Sequence, residues 1–244
     1  MEPELRDCRE DGPFRGKTCP VCGSSGKLLM NSREIETMGR ILAGMLRHFP
    51  ENYGIKLDEH GWVKTYLIVP AIKAQRRFFE WLTPYHIEAL ARTDPKQRYE
   101  VNDREEIRAT YGHTIPIEID DMSTDGIPDE LYFQTTPEEY EFIRETGISP
   151  SDKTWVHLSK EVRQAYVSGL YHIDSPSILA IKTREMIKDN IPVYRATDEV
   201  FLTGEIPARY LGELKNERFE LTPEEEADIK VVRERRERKI RGEI

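Results

Sequence analysis

Two stretches of the 244-residue sequence combine arginine with histidine, that is, a fixed positive charge with a group that can transfer a proton. Arg47 and His48 occur in the run MLRHFP, and Arg108 and His113 occur in EIRATYGHTIP. Arginine stays charged and binds phosphate through two parallel N–H groups, while histidine can transfer a proton near neutral pH. The structural alternative is that the first pair complements a helix dipole and that the second pair is exposed in a hairpin.

An amphipathic helix is predicted to carry Arg47 and His48 in its last turn. Apolar residues recur at spacings of three and four from Arg33 onward, and Pro50 prevents the helix from continuing. Because the negative end of the helix dipole lies nearby, we expect the cationic form of His48 to be favoured.

A β-hairpin is predicted to carry Arg108, because two short β-type runs flank the Asn-Asp turn of RYEVNDREEIRATYG. Helices are predicted over residues 71–82 and 84–92, the second with Thr83 as its N-cap. Helices followed by a small hairpin are the outline of a winged-helix lobe, which we assign to residues 31–118.

The sequence beyond Thr114 changes to the period of two that is typical of strands. Apolar and polar residues alternate in TIPIEID, and β-type runs follow at LYFQT, WVHLS, SILAIK, VYRAT and EVFLT. A capping box formed by Thr136 and Glu139 predicts a helix among them. His157, within WVHLS, is by default a buried histidine with a satisfied hydrogen bond. We therefore predict an α+β fold whose β-rich lobe covers residues 125–214.

The three cysteines lie in the first thirty residues, which are rich in Gly, Pro and charge. This composition predicts an irregular extension, residues 1–30, rather than packed core. Cys19 and Cys22 form a CxxC pair that can bind one Zn²⁺, and Cys8 could be a third ligand. The local sequence shows no fourth ligand, so unliganded thiols are favoured over a structural zinc site.

Charge and hydropathy exclude several classes of protein. No apolar run approaches the ~20 residues of a membrane span, and MEPELRDCRE lacks an apolar signal segment, so a cytoplasmic protein without a membrane partner is predicted. The net charge is −9, and residues 121–150 hold eight acidic residues against one basic residue. No GxGxxG motif occurs, and GPFRGKT is one residue short of a phosphate-binding loop.

A charged helix is predicted in the tail, residues 215–244. Thr222 and Glu225 repeat the capping box, and VVRERRERKIR follows them. The alternating charges indicate a solvated helical face, with a basic arm that binds RNA as the alternative.

Five blocks of the sequence, taken in order, resemble the RNA 2′-phosphotransferases, NAD-dependent enzymes that remove an internal 2′-phosphate from tRNA and related RNA. The blocks are LAGMLRHFPENYGIKLDEHGWV, RYEVNDREEIRATYGHTIP, LYFQTTPEEYEFIRETGI, WVHLS and EVFLTGEIPARYL. The resemblance covers residues 33–214, and the Cys-containing extension resembles that of some archaeal members.

The resemblance implies a winged-helix RNA-binding lobe and an ADP-ribosyltransferase-like NAD-binding lobe. It implies that the 2′-phosphate displaces nicotinamide from NAD, and that the neighbouring ribose hydroxyl then attacks this phosphate to release ADP-ribose 1″,2″-cyclic phosphate. The catalytic residues implied by motif position are Arg47, His48 and Arg108. The implied NAD contacts are Tyr132, Thr135, His157 and Ser159. We accordingly expect a monomer that acts on RNA bearing a 2′-phosphate, with tRNA as the substrate.

Two departures from the family pattern leave alternatives open. The family's LYHGT stands here as LYFQT, so Gln134 replaces a glycine that permits close approach of the backbone to the cofactor. The family's fourth catalytic arginine falls on Tyr171. Either Arg163 or Lys153 supplies the missing charge, or the subgroup works with fewer cations, or the second step is slow. The alternatives are an ADP-ribosyltransferase that stops after the first step on nucleic-acid phosphates, and a noncatalytic RNA-binding module that has lost NAD binding through Phe133 and Gln134.

Overall fold

A computed structural model describes residues 3–242, so the outermost two residues of the predicted extension and of the predicted tail lie outside it. Helices and antiparallel sheets occur along the chain, which confirms the α+β class. The chain forms two compact units. Unit 1 contains the described residues up to Asp121 together with Asp152–Thr154, and unit 2 contains the remaining described residues. Among the described helices, none has the length and apolar character needed to cross a membrane.

Three helices build the core of unit 1: α1 is Ser32–Arg47, α2 is Thr65–Gln75 and α3 is Pro84–Arg92. The predictions of α1 and α3 are confirmed, while the prediction of a helix over 71–82 is wrong in its bounds. Pro70 lies inside α2 rather than before it. Burial of Ile68 and Ile72 on this helix compensates for the backbone hydrogen bond that the proline cannot donate.

The predicted hairpin is confirmed as β5 (Tyr99–Val101) and β6 (Glu106–Ala109), with β4 (Val63–Lys64) on the other side of β6. Side chains alternate across β6: Ile107 and Ala109 enter the hydrophobic core of unit 1, whereas Arg108 points to the opposite face. The cross-strand partner of Arg108 is Glu100.

The N-terminal residues form a second small sheet, so the prediction of an irregular extension is wrong. Strands β1 (Leu5–Cys8), β2 (Gly12–Arg15) and β3 (Lys27–Met30) pair in the order β2-β1-β3. Leu5 and Met30 are fully buried in the core of unit 1. The strands are only four residues long, and their few core residues do not produce a clear periodic signal.

A six-stranded sheet forms the centre of unit 2, in the order β10-β11-β8-β7-β9-β12. Its strands are β7 (Leu131–Thr135), β8 (Val156–Ser159), β9 (Ser177–Ile181), β10 (Val193–Arg195), β11 (Val200–Thr203) and β12 (Leu211–Lys215). The five runs predicted as strands after TIPIEID correspond to β7 to β11. TIPIEID itself forms no strand, although Ile117 and Ile119 are buried. Glu118 donates a backbone hydrogen bond to the carbonyl of Glu59, which lies in no strand.

Helices of unit 2 include α4 (Pro137–Thr146), α5 (Val162–Leu170), α6 (Thr183–Lys188) and α7 (Pro223–Ile240). Both predicted capping boxes are present, at Thr136 with Glu139 and at Thr222 with Glu225. The sheet has two covered faces. Leu131, Leu158 and Phe201 belong to the larger core, while Ile178 packs with α5 and with Ile229 of α7.

Candidate functional site

The last turn of α1 places the guanidinium group of Arg47 between two tyrosine rings. Its Cζ lies 4.9 Å from the ring centroid of Tyr111 and 6.0 Å from that of Tyr99. Burial raises the pKa of Tyr111 and raises the pKa of Tyr99 to about 12, so neither phenol ionises near neutral pH to neutralise Arg47. Both rings instead offer their faces to the cation.

One edge of the Arg47 guanidinium group lacks a hydrogen-bonding partner. Nε and Nη2 are buried, and within residues 3–242 no acceptor bonds to either nitrogen. An unsatisfied buried donor costs about 1–3 kcal/mol, and more when it is charged. Nε and Nη2 point their N–H groups in parallel, which is the geometry that binds two oxygens of a phosphate. The geometry of this edge thus matches two oxygens of an oxyanion.

Gly112 shapes the other side of Arg47. Its φ of +85° lies in the region that favours glycine, and a Cβ at this position would lie 3.3 Å from Nη1 of Arg47. The turn after β6 thus passes close to the guanidinium group. The following residue, His113, is buried, and its carbonyl accepts a hydrogen bond from the backbone of Thr154 at 3.0 Å. The hypothesis that His113 is simply exposed in a hairpin is wrong.

His48 is the C-cap residue of α1 and is half-buried. Its Nδ1 lies 3.0 Å from the hydroxyl oxygen of Thr114, whose backbone N–H donates to the carbonyl of Arg47 at 3.0 Å. Burial, followed by the charges of Arg47 and Lys153, lowers the pKa of His48. This direction contradicts the expectation of a favoured cationic form, because desolvation and two neighbouring cations disfavour the charged imidazole.

Arg108 is only 4% exposed, which contradicts the structural alternative of an exposed hairpin residue. Its Nε and Nη2 each lie 2.9 Å from Oε2 of Glu100, and its Nη1 donates to both carboxylate oxygens of Asp121 at 2.9 and 2.7 Å. Its Cζ lies 4.4 Å from the ring centroid of Trp62. Arg108 is thus compensated by two carboxylates, whereas Nε and Nη2 of Arg47 have no acceptor among the described residues.

Three of the four residues implied as NAD contacts lie on one face of the sheet of unit 2. Tyr132 and Ser159 are cross-strand partners, and His157 precedes Ser159 by two residues on β8. The Nδ1 of His157 lies 2.9 Å from the carbonyl oxygen of Trp155, which agrees with a hydrogen-bonded histidine. Lys215 Nζ lies 5.1 Å from the ring centroid of Tyr132. A phenol, an imidazole and a hydroxyl therefore share this face.

Thr135 lies on the opposite face of β7 and is fully buried. Its hydroxyl donates to Oε2 of Glu139 at 3.3 Å, next to the capping box of α4. Gln134 points toward α5: a Cβ on Gly169 would lie 3.0 Å from the Cβ of Gln134 and 2.8 Å from Pro176. Helix α5 therefore approaches β7 closely where the family motif has glycine.

Tyr171 is the C-cap residue of α5 and packs against the cluster formed by α5 and α7. Arg233 of α7 donates to the carbonyls of Leu170 and Ile173, each at 3.0 Å, and Arg236 donates to the carbonyl of His172 at 2.6 Å. These arginines satisfy carbonyls at the end of α5 that have no helical partner. The prediction of a solvated tail is therefore wrong for this face of α7.

Both cations that could replace the charge of the family arginine are already paired with carboxylates. Arg163 donates to both carboxylate oxygens of Glu225 on α7 at 2.9 and 2.7 Å. Lys153 lies 2.6 Å from Asp152, and its charge reaches His48 in unit 1.

The three cysteines lie close together, and Asp11 lies with them. The four residues could hold a metal ion, since their donor atoms all lie within 4.8 Å of one another. Asp11 follows Cys8 in the turn between β1 and β2. The spacing CxxD followed by CxxC repeats one pattern twice, and this signal would have identified the fourth residue in the sequence.

Comparison with known proteins gives one consistent family. The model of the RNA 2′-phosphotransferase, Tpt1 / KptA family matches residues 32–205. The chain belongs to this RNA 2′-phosphotransferase family. It is 47% identical over 233 residues to the "Probable RNA 2′-phosphotransferase" of Thermoplasma volcanium, a match that covers 96% of this chain and 97% of the relative.

Two other RNA 2′-phosphotransferase relatives are similar over most of their length. The protein of that name from Thermoplasma acidophilum is 50% identical over 231 residues, covering 95% of this chain and 97% of the relative. "Probable RNA 2′-phosphotransferase 1" of Archaeoglobus fulgidus is 36% identical over 208 residues, covering 85% and 94%. The match to the family begins at Ser32 and so leaves out the cysteine cluster.

Arg47 and His48 were predicted from the sequence, but the residues that contact them were not. Tyr99, Tyr111 and Thr114 lie far from α1 in sequence, and only the fold brings them to its last turn. Glu100 and Asp121 were missed as partners of Arg108. The hairpin register places Glu100 opposite Arg108, so this pair could have been predicted from the hairpin.

Proposed function

We propose that the protein is an NAD-dependent RNA 2′-phosphotransferase that removes an internal 2′-phosphate from RNA, with tRNA as the expected substrate. Membership of the family supports this assignment. One observation in the structure carries it: the Nε and Nη2 atoms of Arg47 form a buried, unpartnered edge beside His48. A phosphate bound to this edge would satisfy both donors.

Arg47 has two proposed effects on the phosphate, one on its orientation and one on its charge. Its two parallel donors fix the orientation of the 2′-phosphate, and their charge stabilises the additional negative charge that develops on the nonbridging oxygens during phosphoryl transfer. Because the rings of Tyr99 and Tyr111 hold the guanidinium group in place, little reorganisation is needed when the charge develops.

His48 moves a proton in this scheme. The contact of Nδ1 with Thr114 leaves Nε2 as the ring nitrogen for exchange with the substrate. Its lowered pKa means that the free protein holds the neutral imidazole near pH 7. Binding of an anionic phosphate nearby favours protonation, so His48 then carries the proton that the departing 2′-oxygen requires.

Arg108 belongs to the proposed catalytic set by its motif position. Carboxylates already bind its guanidinium group, so a catalytic role requires that one of them give way to the substrate. Asp121 occupies Nη1 with both carboxylate oxygens. To bind this nitrogen, a substrate phosphate must displace Asp121 or share the Nη1 donor with it. We therefore propose that Arg108 exchanges Asp121 for the phosphate, while Glu100 keeps its guanidinium group oriented.

The proposed NAD contacts are Tyr132, His157 and Ser159, which share one face of the sheet of unit 2. NAD, when bound, supplies the ribose carbon that accepts the phosphate. The donor set fits a nucleotide, because a phenol, an imidazole and a hydroxyl can bond to ribose and amide groups. We propose that Thr135 acts indirectly, by anchoring the start of α4 through Glu139.

The proposed division of labour follows the two units. We propose that unit 1 contains a winged-helix RNA-binding lobe, built from residues 31–118, and that unit 2 contains an ADP-ribosyltransferase-like lobe, residues 125–214. A monomeric, cytoplasmic enzyme stays our prediction for the whole protein.

Product analysis tests the proposal directly. An RNA oligonucleotide with one internal 2′-phosphate is incubated with the protein and NAD. We expect RNA with a free 2′-hydroxyl, nicotinamide and ADP-ribose 1″,2″-cyclic phosphate. Absence of turnover by a preparation with a native circular dichroism spectrum would refute the proposed function. A matched oligonucleotide without the 2′-phosphate is the control.

A second candidate is an ADP-ribosyltransferase that stops after the first step, and Tyr171 favours it. This phenol adds no positive charge where the family has arginine, and the neighbouring Arg163 is paired with Glu225. Accumulation of ADP-ribosylated RNA would identify this activity. In that case, Tyr171→Arg is expected to accelerate release of the cyclic phosphate. Calorimetric measurement of NAD binding separates both enzymes from a noncatalytic RNA-binding module.

A further inference from the structure

The cysteine cluster lies outside the residues matched by the family model and plays no part in the proposed reaction. We propose that Cys8, Asp11, Cys19 and Cys22 bind one structural zinc ion, with Asp11 as the fourth ligand. This site is independent of the proposed function, because it rests on the geometry of the N-terminal sheet alone.

Three of the six distances between donor atoms lie close to those of a tetrahedral zinc site. The sulfurs of Cys8 and Cys22 lie 3.4 Å apart, and the carboxylate Oδ2 of Asp11 lies 3.2 Å from Cys8 Sγ and 3.3 Å from Cys19 Sγ. Zinc–ligand bond lengths place two sulfurs of a tetrahedral site about 3.8 Å apart, and a sulfur and an oxygen about 3.6 Å apart. These three pairs need a change of only a few tenths of an ångström, and all the donor atoms lie within 4.8 Å of one another.

Two tight turns present the four ligands. Cys8 ends β1, and Asp11 lies in the turn that leads into β2. Cys19 and Cys22 lie in a second turn, in which Gly23 donates a backbone hydrogen bond to the carbonyl of Cys19 at 3.0 Å. Each turn thus contributes two ligands separated by two residues, which is the spacing of zinc sites.

The chemistry of the set indicates zinc and a structural role. Three thiolates are soft ligands that favour zinc over magnesium or calcium. Four protein ligands close a tetrahedral site and leave no position for a reacting water, unlike a catalytic zinc site. Cys8 and Cys19 are buried, whereas Asp11 and Cys22 are exposed, so two ligands are anchored in the interior and two lie at the surface.

The site would secure the N-terminal sheet against α3. Arg15 of β2 donates to the hydroxyl of Thr93 at 2.9 Å, and the hydroxyl of Tyr85 donates to Asp7 of β1 at 2.5 Å. The backbone at Gly26 packs closely against β1, because a Cβ at this position would lie 2.7 Å from the carbonyl oxygen of Asp7. Zinc binding is therefore coupled to the stability of unit 1.

Metal analysis of the full-length protein tests the proposal. After purification without chelators, inductively coupled plasma mass spectrometry is expected to find one zinc ion per chain. Asp11→Ala and Cys19→Ser should each lose most of this zinc, whereas Asp11→His, which restores a zinc ligand, should retain it. Glu10→Ala is the matched control, because it removes the adjacent exposed carboxylate and leaves all four ligands.

Two further measurements keep the proposal falsifiable if a variant fails to fold. The wild-type protein reconstituted with Co²⁺ should show thiolate charge-transfer bands and the visible bands of a tetrahedral ion, and chelation of the native metal should lower its melting temperature. A zinc content below about a tenth of an ion per chain after reconstitution would overturn the site. A disulfide between Cys8 and Cys22, or iron in place of zinc, would overturn it as well. Full zinc affinity in Asp11→Ala would overturn the assignment of the fourth ligand.

Discussion

Burial of Arg47 costs free energy that no hydrogen bond from its Nε or Nη2 within the described part of the chain returns. A buried charged group with unsatisfied donors is a candidate functional residue. Two of its donor atoms are buried without an acceptor, so the free protein bears a desolvation penalty for them. Arg47→Ala should reduce turnover of 2′-phosphorylated RNA at least about a hundredfold, as expected when a donor to the transition state is lost. The free energy of unfolding should fall by much less than for a buried residue with satisfied hydrogen bonds.

Arg98→Ala is the matched control for Arg47→Ala in denaturant unfolding. Arg98 forms a bidentate ion pair with Asp94 at 2.9 and 2.6 Å, so its removal leaves a buried carboxylate. We expect this control to lose more stability than Arg47→Ala. The reverse order of stabilities would contradict the interpretation of Arg47 as a binding residue.

Asp121 distinguishes a catalytic Arg108 from a structural one. If the phosphate must displace Asp121 from Nη1, then Asp121→Asn removes a competing charge and should lower the KM for the RNA several-fold. If Arg108 only stabilises the hairpin, the substitution should lower the melting temperature and leave KM unchanged. Steady-state kinetics with Asp103→Asn, an equal charge change at the exposed hairpin turn, provides the comparison.

His48 should titrate below the ordinary histidine pKa of about 6.5 in the free protein, because burial and the charges of Arg47 and Lys153 lower its pKa. Its neutral form is favoured in the folded state, so its contribution to stability is present above about pH 6.5 and is lost as the pH falls through its folded-state pKa. NMR titration can measure this, with the signal assigned by its loss in His48→Gln.

Phosphate binding should shift the His48 titration in the opposite direction. An anion on the Arg47 edge favours the imidazolium form, so added inorganic phosphate should raise the pKa of His48. His60, whose hydrogen bond to Asp120 raises its pKa, is the internal control and should not respond. No phosphate-dependent shift at His48 would contradict the proposed proximity of phosphate and imidazole.

The packing of helix α7 was not predicted from the sequence. Its charge pattern predicts a solvated face, yet Arg233 and Arg236 bind carbonyls at the end of α5. Arg233→Ala should destabilise this contact by about 1–2 kcal/mol, the range for a hydrogen bond to a charged donor that is partly exposed. Hydrogen exchange at residues 170–174 should become faster. Arg235→Ala, exposed on the same helix, is the control, and equal exchange in both variants would refute the contact.

Local signals were sufficient for most elements and insufficient for those that depend on tertiary contacts. The capping boxes at Thr136 and Thr222 and the apolar period of α1 are properties of a few adjacent residues. TIPIEID has the alternation of a strand, but no neighbouring strand pairs with it among the described residues. In the N-terminal sheet, strands are present that the sequence did not predict, because they are too short to show a period. The same limit applies to the candidate site, where Arg47 was accessible from motif position but Tyr111 was not.

The charge of the whole molecule limits how RNA can be held. The net charge is −9, and eight of the acidic residues lie between positions 121 and 150. Residues 31–120, which include the proposed RNA-binding lobe, have one more acidic residue than basic residues. Affinity must therefore come from a few placed cations that recognise a particular phosphate rather than from a broad basic surface.

Salt dependence of RNA binding tests this conclusion. Three phosphate contacts on single-stranded RNA give a slope of log K against log salt concentration of about −2. We expect such a shallow slope for a 2′-phosphorylated oligonucleotide in fluorescence anisotropy without NAD, and Arg47→Ala should make it less steep by about 1. Arg76 and Arg77 line an exposed groove with Phe78 and provide the control pair. If the double variant Arg76→Ala/Arg77→Ala reduces the slope more than Arg47→Ala does, or if the wild-type slope reaches about −5, RNA is held by an extended basic surface and the placed-cation model is wrong.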